Sequence, residues 1–257
     1  MASQLKIMSF NLRTANVGDG INYFFNRFDR VTEVLDRERP DIVGFQEVTD
    51  SMRVKLRDYL TDYTVQGCGR GTDYHGESML IGYRKDTVEL ISLENIWLSP
   101  TPSVPGSTFG GDQSGCPRMF TAALVKHDDV PAPFYFINTH LDHEGKLARY
   151  LGAVQIAQYI SLHEPKFVLT GDFNATPDTP EIKVITEALA YRGARDCTAS
   201  LGGTFHNFGR IPAERCPKID YIFSDAPCKE SYIVEDVPVD GKYYSDHNAV
   251  CAILEME

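Results

Sequence analysis

Apolar residues recur along the chain in short alternating or continuous runs rich in β-branched and aromatic types, the mark of β-strands. Such runs occupy residues 5–11, 42–48, 78–83, 88–98, 121–126, 134–139, 167–172, 219–224 and 249–254. Helical spacing appears between some of them. Phe24, Phe28, Val31 and Leu35 fall on one face of a helix that must stop before Pro40. A second helix is predicted over residues 146–163 with Leu147, Leu151, Val154 and Ile160 turned inward, and a third begins at Pro180 and carries Ile182, Ile185 and Leu189. Many strands with a few interspersed helices predict an α/β or α+β sandwich in which helices cover sheets.

Residues 99–117 are dense in Pro, Gly and Ser, but the strand patterns on either side look alike. The segment therefore reads as a long surface loop, and residues 1–257 as a single domain. With 42% hydrophobic and 24% charged residues, disorder and fibrous repeats are excluded. No window approaches the roughly 20 apolar residues that span a bilayer. The opening MASQLKIMSFNL lacks the apolar run of a signal peptide, so the expected address is the cytoplasm. None of the six cysteines forms a Cys-x-x-Cys pair, which speaks against a zinc ribbon or redox pair and for reduced thiols. Lys plus Arg number 25 against 36 Asp plus Glu, a net charge of -11. That balance argues against holding long DNA or RNA, yet leaves room for a small phosphate ester drawn by a local basic pocket or a metal ion.

Candidate chemistry gathers at strand ends. Asn11 ends the run in IMSFNLR and Glu47 that in IVGFQEV; NTHLDH, residues 138–143, follows the apolar FYFI. LTGDFNATPDTPE sets Asp172 and Asn174 two residues apart, which brings a carboxylate and an amide to one face if the chain stays extended. The alternative is an Asx turn with Pro177 and Pro180 leading into the next helix. Asp220 interrupts the apolar strand of KIDYIFSD and needs a partner there. Asp246 and His247 stand before the last strand, and a histidine beside carboxylates suits a phosphate ligand or general acid. Singly, each of these is an ordinary turn or edge residue.

Together, SFNLR, QE, NTHLDH, GDFN, IDYIF and SDH, in that order from Ser9 to Val250, resemble the endonuclease/exonuclease/phosphatase superfamily. That superfamily includes DNase I, abasic-site endonucleases, neutral sphingomyelinases, inositol-polyphosphate 5-phosphatases and deadenylases. The resemblance implies a DNase I-like, four-layer α/β sandwich, two packed mixed β-sheets flanked by helices. It also implies a divalent-metal-dependent phosphoesterase that hydrolyses a phosphodiester or phosphomonoester by in-line attack of an activated water. On the matching positions, Glu47 would be the principal metal ligand, with Asn11 close by and Asp246 a further ligand or neighbour. Asp172 would orient or deprotonate the water, Asn174 would bond the phosphate or that water, His247 held by Asp220 would stabilise the pentavalent phosphate, and His140 would reach it from the other side. His140 stands where abasic-site endonucleases carry Tyr, so the chain is most similar to a bacterial group near the sphingomyelinase, 5-phosphatase and deadenylase branches. It departs from the usual pattern at His206 and Asn207 in GTFHNF, and at Asn248 and Ala249 in SDHNAV.

Glu47, Asp172, Asp220 and Asp246 cannot share one pocket fully ionised without a cation, and oxygen donors with no thiolate favour Mg2+ or Mn2+ over zinc. Arg118, Lys146 and Arg149 are the expected basic patch for substrate. Trp97, Tyr243 and Tyr244 are open to stacking on a base or sugar or, as is commoner, to packing. The expected partner is a phosphate-ester small molecule or lipid head group, without long duplex DNA, acted on by a monomer. Two alternatives stand beside it: a nuclease on single-stranded or short nucleic acid, and a non-catalytic binding member of the family. The last would betray itself by a lost catalytic residue, and none of the matched positions is lost.

Overall fold

The computed structural model describes residues 3–256. In chain order the strands are β1 (Ser3–Asn11), β2 (Ile42–Val48), β3 (Tyr63–Gln66), β4 (Ser78–Arg84), β5 (Val88–Trp97), β6 (Met119–His127), β7 (Phe134–His140), β8 (Phe167–Asp172), β9 (Arg195–Asp196), β10 (Asp220–Ser224), β11 (Cys228–Val234) and β12 (Ala249–Met256). The α-helices are α1 (Phe28–Glu38), α2 (Asp50–Tyr59), α3 (Lys146–Ser161) and α4 (Pro180–Ala188). The strands make two six-stranded sheets, ordered β11-β12-β1-β2-β4-β3 and β5-β6-β7-β8-β10-β9. Each is mixed, antiparallel except for one central parallel pair, β1 with β2 and β7 with β8.

The central strands are apolar on successive residues because both faces are covered. In β1, Leu5 and Ile7 face the other sheet and meet Phe134, Phe136, Val168 and Ile222, while Met8 and Phe10 face the α1 and α2 side with Val31, Leu35, Met52 and Leu56. The outer face of the second sheet packs Phe120, Ile137 and Leu169 against Ile156, Ile160, Ile182 and Ile185 of α3 and α4. The result is the four-layer arrangement of helices, sheet, sheet and helices.

Near one end the apolar layer between the sheets gives way to hydrogen bonds. Gln46 Nε2 donates to Asn138 Oδ1 at 2.7 Å and to Gly44 O at 3.0 Å, and Asn138 Nδ2 donates to Phe45 O and Leu80 O at 2.8 and 2.9 Å. Gly44 lets the sheets approach here, since a Cβ on it would lie 2.2 Å from Thr170 Oγ1 and 2.6 Å from Asn138 Oδ1.

Each predicted strand run is present. β3, β9 and β11 and helix α2 are additional. β3 and β9 are very short, β11 is a polar edge strand, and α2 buries only Met52 and Leu56. Two expectations are corrected. The first helix begins at Phe28 rather than Phe24, because Phe24–Asn26 form a 3-10 turn and Arg27, fully buried, spends its guanidinium on the carbonyls of Leu12, Arg13, Asn22 and Tyr244. In α3, Leu147 is 58% exposed instead of inward. The buried face is the small-residue one, Ala148, Gly152, Ala153 and Ala157 with Ile156 and Ile160, which lets the helix lie close against Leu98 and Leu141. The six cysteines are free. Among the described residues no helix is long and apolar enough to cross a membrane.

Candidate active site

The polar strand-end residues converge because of strand direction. Asn11, Glu47, His140 and Asp172 lie at the C-terminal ends of the two parallel pairs. Asp220 opens antiparallel β10 opposite Asp172, and Asp246 and His247 precede β12, which runs antiparallel to β1. Antiparallel strands start where their neighbours finish, so residues far apart in sequence reach one edge of both sheets. At Glu47 the register between β2 and β4 breaks and φ is 62°, which sends Gln46 between the sheets and Glu47 toward the pocket. Asn174, with φ of 48°, turns back at the end of β8, and its backbone N–H donates to Asp172 Oδ1 at 2.9 Å. The segment is thus the Asx turn and the site at once.

Donor atoms of Glu47, Asp172 and His247 lie within 4.8 Å of one another. Glu47 accepts from Thr14 N at 2.8 Å and Asn11 Nδ2 at 3.1 Å. Asp172 Oδ2 accepts from Asn11 Nδ2 at 2.9 Å. His247 Nδ1 is 2.9 Å from Asp220 Oδ2, and its Nε2 is 3.7 Å from Asp172 and 3.9 Å from Asp246. Burial and the charge of Asp220 push the Asp172 carboxyl up to about 7, against the pull of His247. Burial works against a charged His247, but Asp220, Asp172 and Asp246 overcome it and raise its pKa well above the ordinary value. His140 behaves oppositely: burial and the charges of Arg118 and Arg70 hold it well below, hence neutral. Asp246 is raised by burial and by Glu47, against the pull of His247. Burial and neighbouring carboxylates raise Asp172 and Asp246, while Glu47, although burial works against its charge, is held below the ordinary value by His247 and its hydrogen bonds; these converging oxygen donors fit a hard divalent cation.

These residues open into a cavity of about 690 Å³. Glu47, His140, Asp172, Asn174, Asp246 and His247 line it, while Asn11 and Asp220 stand buried behind. Asn11 Oδ1 accepts from Arg13 N at 2.9 Å, and its amide nitrogen donates to the carboxylates of Glu47 and Asp172. Arg118 and Arg149 line the wall; Arg149 also bonds Glu181 at 3.2 Å and Asp142 O at 3.0 Å. Lys146 is exposed and lies outside the lining, so the expected pairing of Lys146 with Arg149 at the pocket is not formed; one position opens α3 to solvent and the other to the interior. Trp97 and Tyr244 are 2% and 1% exposed, which removes them as stacking surfaces, and Tyr243 packs on His206. Trp97 instead donates Nε1–H to Arg70 O at 2.8 Å.

The sequence reading did not single out Arg13, Arg70, Glu77, His143 and Phe205, which also line the cavity. Arg13 sits inside the SFNLR motif. Arg70 and Glu77 belong to GCGRGTDYHGE, a glycine-dense stretch carrying charge between two strands, which was a usable signal. Asp142 of NTHLDH was missed as an organiser: it accepts from Ser114 N at 3.1 Å, Gly145 N at 2.8 Å and Arg118 Nε at 3.3 Å, anchoring the loop of residues 99–117 beside the cavity.

The sequence profile of the endonuclease/exonuclease/phosphatase family matches residues 8–247. An endonuclease/exonuclease/phosphatase from Bacteroides vulgatus is 35% identical and superposes with a TM-score of 0.91 over 99% of this chain and 100% of that one. A mannosyl-6-phosphatase from Bacteroides thetaiotaomicron is 27% identical, with a TM-score of 0.86 over 97% and 99% of the two chains. TDP2 from D. rerio, complexed with a single strand DNA product, shares the fold at 20% identity, with a TM-score of 0.75 over 99% and 100%.

Proposed function

Because the chain belongs to the endonuclease/exonuclease/phosphatase family, we propose that it is a divalent-metal-dependent hydrolase of a compact phosphate ester, working through in-line attack of water. The observation that carries this reading is the convergence of Glu47, Asp172 and His247 donors within 4.8 Å, each held from behind by a hydrogen bond. Glu47, with Asp246 beside it, would hold Mg2+ or Mn2+. Once bound, the cation would neutralise the carboxylates and draw charge from the phosphoryl oxygens.

The remaining work belongs to the side chains. Asp172, fixed by Asn11 Nδ2 and Asn174 N, orients the attacking water and takes its proton. His247 donates from Nδ1 to Asp220, which leaves Nε2–H to bond a phosphoryl oxygen as negative charge gathers there. Asn174 and neutral His140 bond the phosphate from other sides. Asn11 and Asp220 act as positioning residues.

Two features favour a compact ester over a polymer. The net charge of -11 repels a long polyanion. The similarity to a mannosyl-6-phosphatase at 27% identity supports a phosphomonoester of small size. The test is a screen of phosphodiesters, nucleotides, phosphoinositides, sphingomyelin and sugar phosphates with Mg2+ and Mn2+. Asp172→Ala and His247→Ala should abolish turnover of every ester cleaved, with circular dichroism unchanged; full turnover in either variant overturns the reading.

A further inference from the structure

Two arginines on the cavity wall are buried, charged and incompletely used. Arg70 pairs Nη2 with Glu77 at 2.8 Å, and its backbone carbonyl is pinned by Trp97. Arg118 directs Nε at Asp142, 3.3 Å away, and Nη2 at His143 Nδ1, 2.7 Å away. The two residues are 9% and 4% exposed, and among the described residues Nη1 of each is buried with no hydrogen-bond partner. Burial and the charge of Arg70 both depress the pKa of Arg118, so the two guanidiniums feel each other. Both also act on His140, whose Nε2 is 3.6 Å from Asp172. Unmatched buried N–H groups on neighbouring cations are costly unless an anion meets them. The proposed reaction gives neither arginine a contact, which leaves both Nη1 groups to be matched by another part of the substrate.

We propose that Arg70 and Arg118 form a second anion site, which holds a phosphoryl group that is not cleaved, so that the substrate is a compact ester carrying two phosphoryl groups. The inference rests on the hydrolase reading above. The shared chemistry is that of an oxyanion, and the geometry favours phosphoryl over carboxylate. A carboxylate presents two coplanar oxygens to a single guanidinium fork, whereas a tetrahedral phosphoryl group presents three oxygens that two separate guanidiniums can share. The cavity of about 690 Å³ is of the size that accepts a sugar or nucleoside bearing two such groups.

The test compares glucose 6-phosphate, glucose 1,6-bisphosphate and 6-phosphogluconate. With Mg2+, kcat/KM for the bisphosphate should exceed that for the monophosphate by about tenfold or more, chiefly through KM. Arg70→Met should bring that ratio close to one, and Arg70→Lys should restore part of it. Titration calorimetry without metal should show tighter binding of the bisphosphate to wild type and no such difference in Arg70→Met. Equal treatment of the two esters by wild type, or a ratio unchanged in Arg70→Met, overturns the proposal. A gain with 6-phosphogluconate equal to that with the bisphosphate overturns the phosphoryl assignment. Arg70-dependent binding without turnover of any ester would instead overturn the hydrolase reading and leave the second anion site standing.

Discussion

Replacing Asp220 by Asn removes one negative charge from beneath His247 and changes almost nothing else in shape. The carboxylate is 1% exposed, its Oδ2 is 2.9 Å from His247 Nδ1, and its Oδ1 has no hydrogen-bond partner among the described residues, so the imidazole is its one evident task. At 2.9 Å and an effective dielectric of about 20, the bare attraction is about 6 kcal/mol. Little of that figure is net, because the cost of burying both charges offsets it, and Asp172 and Asp246, 3.7 and 3.9 Å from Nε2, still favour the imidazolium after the substitution. The part that disappears is the charge-assisted hydrogen bond, about 1.5–3 kcal/mol. Since His247 Nε2–H meets charge that develops in the transition state, the loss should appear in kcat, as a fall of about ten- to a hundred-fold, with KM little changed. The assay is steady-state hydrolysis of bis-p-nitrophenyl phosphate, or of whichever ester the screen finds, alongside thermal melts to show that the variant is folded. A folded Asp220→Asn protein with kcat within about threefold of wild type would refute the role given to the Asp220–His247 pair.

Three further outcomes follow from the same structure. Glu47→Ala should weaken Mn2+ binding by about tenfold or more in titration calorimetry, and unchanged affinity would remove Glu47 from the metal site. Gly44→Ala places a Cβ against Thr170 and Asn138 between the sheets and should destabilise the fold by about 2–4 kcal/mol in urea, a loss below about 1 kcal/mol showing that the sheets can part there. Asp236 accepts from the backbone of Tyr244 and Ser245 just before Asp246, and burial pushes its carboxyl up to about 6. A raised folded pKa means stability fully present below about pH 4 and lost as pH rises through about 6. Asp236→Asn should therefore gain about 2–3 kcal/mol over wild type at pH 7.5 and little at pH 4, and an equal gain at both would contradict the linkage.

Much of this was legible along the chain, for identifiable reasons. Runs such as IVGFQEV and FVLTGD are apolar on both faces because they are central strands, and the polar residues at their C-terminal ends, Glu47 and Asp172, face the cavity. Glu47, Asp172, Asp220 and His247 were therefore found from local pattern and from the order of their motifs. Weakly patterned elements escaped: β11 is a polar edge and α2 buries two side chains, so neither leaves a period to read.

The sequence by itself determined the kinds of element, the residues able to do chemistry and the family they belong to, since these depend on neighbours a few positions away. Which cations face the cavity was decided only by the tertiary structure. Lys146 and Arg149 share a helical turn, yet one faces solvent and the other the cavity, because α3 is rolled onto its small residues rather than its leucines. Arg70 stands beside His140 and Arg118 only because two sheets, joined through Gln46 and Asn138, present their strand ends to a common opening. A contact of that kind depends on the packing of segments distant in sequence, and local periodicity carries no information about it.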